Sequence, residues 1–264
     1  MITSTQNPRI KHLLLLEQKS SQRRADGLFV VEGRREVEHC LEAGYKLRTA
    51  FVCEEIGSPP PNLPPRREAF EVVPVSPNVY ERIAYRGGTE GIVAVVEARK
   101  NGLADLKLSA SPLIVVLESV EKPGNLGAVL RSAEAAGADA VIVCDPLTDL
   151  YNPNLIRSSI GAFFTVPCVA CSTEECIAFL KGKGIQILTA QLQDSHLYYD
   201  TSMTGPTAIV MGTEATGLTD QWRKAADAHI RIPMLGRLDS LNVSVSAAIL
   251  LFEAVRQRQK SGKI

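Results

Sequence analysis

No stretch of this chain is long and apolar enough to span a bilayer. Apolar runs such as LIVVL at 113–117 and AAILLF at 247–252 fall far short of the roughly 20 residues that a membrane helix needs. The opening MITSTQNPRIKHLLLLEQ lacks a basic start, and its apolar block is too short for a secretory signal, so the expected compartment is the cytoplasm. Aromatic residues make up only 5% of the chain. Net charge is absent too: 29 basic side chains meet 29 acidic ones, which excludes a disordered polyelectrolyte and a protein that coats nucleic acid by bulk charge. There is no G-x-G-x-x-G for a dinucleotide and no G-K-[ST] to close a phosphate loop. Zinc ligation lacks its usual spacing. Cys168 and Cys171 form a lone C-x-x-C with Cys176 five residues on, while His12, His39, His196 and His229 are scattered. The six cysteines are therefore read as buried or incidental thiols, and no metal is expected.

What is present divides into two textures. Residues 1–100 combine a helical pattern around Leu13–Leu16, apolar stretches at 28–31 and 49–52, and a helix-like segment at 34–43. Prolines 59, 60, 61, 64 and 65 read as an extended loop, and 91–96 as a closing strand. Residues 101–112 read as a linker. From 113 to 264 strands alternate with helices: strands at 113–117, 140–144, 185–190, 207–211 and 229–232, and a long helix at about 241–258. That alternation predicts an α/β fold with a parallel sheet, which binds ligands outside the carboxyl ends of its strands. Charge segregates mildly along the chain. The first 35 residues carry Arg9, Lys11, Lys19, Arg23, Arg24, Arg34 and Arg35 against three acids, which reads either as a phosphate-contacting arm or as a solvated helix and turn.

Three segments have the residue types for chemistry. KPGNLGAVLRSAEAAG at 122–137 follows the first strand; Asn125 is placed to cap its helix, and Arg131 lies off the apolar stripe. The plain alternative is a capped helix with Arg131 paired to Glu134. MGTEATGL at 211–218 puts two glycines and Glu214 at the end of a strand. IPMLGRLDSLNVS at 232–244 leads into the last helix, where Ser240, Asn242, Ser244 and Ser246 supply more polar groups than capping requires.

Jointly, N-x-G-A-x-x-R at 125–131, G-x-E-x-x-G-L at 212–218 and I-P-M-x-G-x-x-x-S-L-N-V-S at 232–244 resemble the SpoU/TrmH family of RNA ribose 2′-O-methyltransferases, within the SPOUT superfamily. FVVEGRREVEHCLEAG at 29–44 is similar to the ribosomal-protein-like RNA-binding domain that many such enzymes carry. The resemblance implies an N-terminal RNA-binding domain over 1–100 and a SPOUT domain over 113–264 with a deep trefoil knot. Pattern reading alone predicts an ordinary doubly wound sheet, since knots are essentially absent from proteins. The resemblance further implies a homodimer and S-adenosylmethionine, held around Gly212, Ile232 and Leu241, with Met234 and Gly236 lining the loop and Thr189 and Ala190 beside it. Arg131 is implied as the central catalytic residue, supported by Asn125, Glu214, Ser240 and Asn242. Arg9, Lys11, Arg23, Arg24, Arg34 and Arg35 are the RNA-contact candidates. Lys122 and Thr213 depart from family versions that often have Asp and Asn there.

The expected reaction is methylation of a ribose hydroxyl in RNA, 23S-type ribosomal RNA before transfer RNA. A non-catalytic RNA-binding or ribosome-assembly factor is the rival of another class. A guanidinium holds its proton too tightly to be a ready base, so Arg131 is read as a phosphate fork that orients the nucleotide and favours alkoxide charge.

Overall fold

The computed structural model describes residues 1–57, 70–85, 90–213 and 216–263. The proline run at 59–65 and Glu214 lie outside the described residues. Among those described, no helix is long and apolar enough to cross a membrane.

The first hundred residues form α1 (Pro8–Gln18), α2 (Ser20–Asp26), β1 (Leu28–Glu32), α3 (Arg34–Glu42), β2 (Leu47–Val52), β3 (Glu71–Pro74), α4 (Pro77–Ile83) and β4 (Ile92–Glu97). Asn7 caps α1 by accepting from the Arg9 N–H, and Pro8 opens the helix where no backbone donor is lost. Ile10, Leu13 and Leu16 then recur at helical spacing and are buried. The sheet order is β1-β4-β2-β3, with β4 antiparallel to both neighbours and β3 parallel to β2. Residues from α1 and α4 cover one face of it, with Leu13, Val30, Phe51, Tyr80 and Val93 in one cluster.

The chain then builds β5 (Leu113–Glu118), α5 (Pro123–Ala135) and β6 (Ala140–Cys144). Next come α6 (Pro153–Ser159) and α7 (Ala162–Thr165), followed by β7 (Cys168–Cys171), α8 (Thr173–Gly182), β8 (Gln186–Ala190) and β9 (His196–Leu197). The last elements are β10 (Thr207–Met211), α9 (Asp220–Ala225), β11 (Ala228–Arg231) and α10 (Val243–Lys260). The seven strands are all parallel, in the order β7-β6-β5-β10-β8-β11-β9. Central strands β5 and β10 are buried throughout, which is why both read as unbroken apolar runs. Ile114, Val116, Ala208 and Val210 meet α8 and α9 on one face. α5 and α10 pack on each other, and Val129, Leu130, Leu250 and Ala254 on the two helices are fully buried.

Two compact units result: Met1–Lys100 with Asp149–Thr165, and Asn101–Thr148 with Val166–Ile264. A single division near residue 100 therefore does not describe the molecule. α6 and α7 belong to the first unit because their aromatic residues complete its core. Tyr151 lies 4.4 Å from Phe29 between ring centroids, and Phe164 meets Tyr45 edge-on at 5.4 Å. Arg99 lies over the Tyr45 ring at 4.0 Å.

Candidate active site

A cavity of about 340 Å³ opens outside the carboxyl ends of β8, β10 and β11, where a parallel sheet offers loops and free backbone groups. Met211 and Ile230 form its floor; Gln191, Thr216 and Arg231 supply polar wall, and Val243 and Ser246 bring the start of α10. The loop after β10 is pinched. Gly217 N–H donates to Thr213 O at 3.0 Å, Gly217 takes φ +67°, and a Cβ on Gly212 would collide with the Gly217 carbonyl. Glycine at 212 is thus a packing requirement of the cavity wall.

Of the residues expected to hold a cofactor, Ala190, Gly212, Ile232, Met234 and Leu241 line this cavity, as does Ser240. Thr189 does not line it. Strand alternation turns its side chain away, and Thr189 Oγ1 lies 2.6 Å from His229 Nδ1, tying β8 to β11. Gly236 is exposed in the loop before α10 and is also off the cavity wall.

The first and third motifs meet through two amides. Asn242 caps α10 with its Oδ1, accepting from Ser244 N at 3.0 Å and from Ser244 Oγ at 2.6 Å. Its Nδ2 donates to Asn125 Oδ1 at 3.2 Å. Asn125 is not the helix cap that its spacing suggested. Pro123 starts α5 one turn earlier, with Lys122 at the cap position, because proline loses no donor at a first helical turn. This leaves the Asn125 side chain in the first turn, where it meets Asn242. Arg131 follows on the same helix, exposed, and it forms no ion pair with Glu134 or any other described residue.

The basic candidates of the first unit separate. Lys11 and Arg24 are exposed without an ion pair among the described residues. Arg9 is paired with Glu71 at 2.7 Å, Arg34 with Glu38 at 3.3 Å and Arg35 with Glu36 at 3.3 Å, all on the surface side of arginine. Arg23 is a correction to the expected set. It is 4% exposed, donates from Nε to Asp149 Oδ2 at 2.6 Å and from Nη1 to Leu16 O at 2.6 Å, and so belongs to the core.

Sequence reading missed two groups. Glu118, buried at the end of β5, accepts from Thr219 N at 2.8 Å, Thr219 Oγ1 at 2.7 Å and Thr173 Oγ1 at 3.3 Å, fixing the starts of α9 and α8 to the sheet. Gln191 and Arg231 on the cavity wall were also missed; their place just after β8 and at the end of β11 was the available signal.

The parallel sheet and its cavity define an α/β protein that holds a small ligand at its strand ends. The family model for SpoU rRNA Methylase matches residues 112–252, and one for the MRM3-like substrate binding domain matches residues 7–94. The 23S rRNA (guanosine-2'-O-)-methyltransferase RlmB of Vibrio vulnificus is 41% identical over 184 residues, covering 67% of this chain and 74% of that protein. A crystal structure of an RNA 2'-O ribose methyltransferase is 40% identical with a TM-score of 0.84, covering 98% of this chain and 99% of its own. The AdoMet-bound rRNA methyltransferase of Sinorhizobium meliloti is 29% identical with a TM-score of 0.86, covering 97% of each chain. The chain belongs to the SpoU rRNA methylase family.

Proposed function

We propose that the protein transfers a methyl group from S-adenosylmethionine to a ribose 2′-oxygen of 23S-type ribosomal RNA. One observation carries the reading: the loops after β10 and β11 line one cavity, and Asn242, between the cavity-lining Leu241 and Val243, donates to Asn125 on the helix that presents Arg131. The cavity falls within the 300–1,000 Å³ range usual for small-ligand sites, and its mixed polar and apolar wall fits an amphiphilic cofactor. Ala190, Gly212, Ile232, Met234 and Leu241 would hold it. The bound cofactor supplies an electrophilic methyl group on a sulfonium sulfur.

A ribose hydroxyl is a weak nucleophile, so positioning and charge stabilisation dominate the task of the protein. Arg131 forks onto a phosphate beside the target ribose, fixing the hydroxyl and favouring the negative charge that develops on its oxygen. Asn125 and Asn242 hold the start of α5 against the start of α10, and Ser240 adds a hydroxyl to the cavity wall; Glu214 is given a supporting role by its motif alone. Arg9, Lys11, Arg24, Arg34 and Arg35 of the first unit dock RNA phosphates, and that unit is of the ribosomal-protein-like kind. The C-terminal chain threads a loop as a deep trefoil knot; two loops converging beneath one docked helix support this. Exposed Leu241, Val245 and Phe252 near α10 support a homodimer. The place of action is the cytoplasm, where ribosomal RNA is modified.

Incubation with methyl-labelled cofactor and separated ribosomal and transfer RNAs tests the assignment. Alkali-resistant label in the large ribosomal RNA is expected. Label confined to transfer RNA, or entering a base, overturns it.

A further inference from the structure

Three cysteines from separate parts of the sequence converge at the edge of the parallel sheet. Cys144 ends β6 and Cys171 ends β7, and the two are register partners on adjacent strands. Cys176 lies in the first turns of α8, whose start is fixed by a reciprocal cap between Ser172 and Glu175. The three sulfur atoms all lie within 4.8 Å of one another. Cys144 and Cys176 are fully buried, and Cys171 is half-buried and opens the cluster to one side. The backbone around it is tied down: Asp145 N–H donates to Cys171 O at 2.9 Å, and Thr173 N–H to Asp145 Oδ2 at 3.2 Å.

We propose that Cys144, Cys171 and Cys176 form a three-thiolate site for one thiophilic divalent cation of the zinc class. The geometry suffices. A zinc–sulfur bond of about 2.3 Å places ligand sulfurs roughly 3.8–4.0 Å apart, so small rotations within the observed spread seat the ion. Three soft donors and no nearby imidazole select a thiophilic metal over magnesium or calcium. Asp145 directly follows Cys144 and Glu175 directly precedes Cys176, so two carboxylates neighbour the cluster in sequence and a doubly charged cation suits the local charge. The half-exposed side of Cys171 leaves the fourth position to water. Metal binding displaces the thiol protons, since thiolate is the ligand form.

The role is structural. β7 is the edge strand, and β6 and β5 separate it from β10 at the cofactor cavity, a distance of roughly 14 Å at the usual strand spacing. A bound ion clamps β7 and α8 onto β6. It takes no part in methyl transfer, and the site stands independently of the proposed reaction. The adjacent C-x-x-C cysteine, Cys168, is not a ligand: three residues apart on a strand, Cys168 and Cys171 face opposite sides.

Reduced, chelator-treated full-length protein titrated with Co²⁺ provides the test. One equivalent per chain is expected, with sulfur-to-cobalt charge-transfer absorption that Zn²⁺ abolishes. Cys171→Ser and Cys176→Ser should each weaken binding by roughly 100-fold or more, while Cys168→Ser, and Cys53→Ser in the core of the first unit, leave it unchanged. Zn²⁺ should also raise the thermal midpoint of the wild type and not that of Cys171→Ser, which remains folded by circular dichroism. Equal uptake by Cys171→Ser, or uptake without charge-transfer absorption, overturns the site.

Discussion

Arg131, Arg23 and Arg258 carry the same guanidinium into three environments. Arg131 is exposed and free of ion pairs among the described residues, as a phosphate ligand should be. Arg131→Ala should cut turnover by about 10²–10³-fold with folding and cofactor affinity kept, since one oriented donor to a developing charge is worth that much. Arg131→Lys should not restore the rate, because an ammonium cannot fork. Methyl-transfer kinetics beside calorimetric titration of the cofactor check both. Arg23 and Arg24 are neighbours on α2, yet their variants should behave oppositely. Arg23→Ala should destabilise the first unit by about 3 kcal/mol by removing a buried guanidinium and leaving the half-buried Asp149 carboxylate and the Leu16 carbonyl short of a donor, read as a lowered denaturant midpoint. Arg24→Ala should leave stability within about 0.5 kcal/mol and reduce the salt dependence of RNA binding. No charge count distinguishes these two residues; only the face of the helix does. The same holds for Asn125, whose cap-like spacing was misleading because Pro123 had already set the helix start.

At the scale of elements, α10 is pinned at both ends. Asn242 holds its start, and near its finish Arg258 donates to the carbonyls of Met203, Ser111, Pro112 and Gly205 at 2.8–3.1 Å. Arg258→Ala leaves those carbonyls short of donors and should cost about 3 kcal/mol in a denaturation series. Asn242 allows a finer separation. Asn242→Ala loses the cap, about 1 kcal/mol, whereas Asn242→Asp keeps an acceptor for Ser244 and loses the donor to Asn125. The aspartate variant should retain its thermal midpoint and lose turnover; a normal rate would remove Asn125 from the site. β5, β10 and α10 were legible in the sequence because burial on every side, or a stripe closed by a cap, imposes a pattern several residues long. β3, β7, β9 and α9 were not. Each is six residues or fewer, and the strands sit at or beside sheet edges, where one exposed face dilutes the apolar signal.

For the whole molecule, the two-part organisation was visible as a change of texture near residue 100, but the allegiance of 149–165 was not. It depends on where Tyr151, Phe163 and Phe164 find partners, a tertiary fact with no local signature. The proposed dimer should scatter light as twice the chain mass, and Val245→Glu with Phe252→Glu should halve it. Stability should also depend on pH through Glu17. Burial, with the charge of Glu32 added, pushes its carboxyl from 4.5 up to about 8, against opposing pulls from Arg157 and Arg82. The folded state therefore keeps a proton that the unfolded chain releases near 4.5. Its stabilising contribution is complete below that value and lost as pH rises towards 8. Denaturant midpoints should fall across this window, and Glu17→Gln should flatten the fall.

The return of α6 and α7 to the first unit also sets a schedule for biosynthesis. An N-terminal domain ordinarily folds as soon as it leaves the ribosome, but here residues 1–100 must wait for 149–165. At roughly 5–20 residues per second the delay is several seconds, during which Phe29 and Tyr45 lack the rings that cover them. A chain stalled soon after residue 100 should be far more sensitive to protease than one stalled beyond 200.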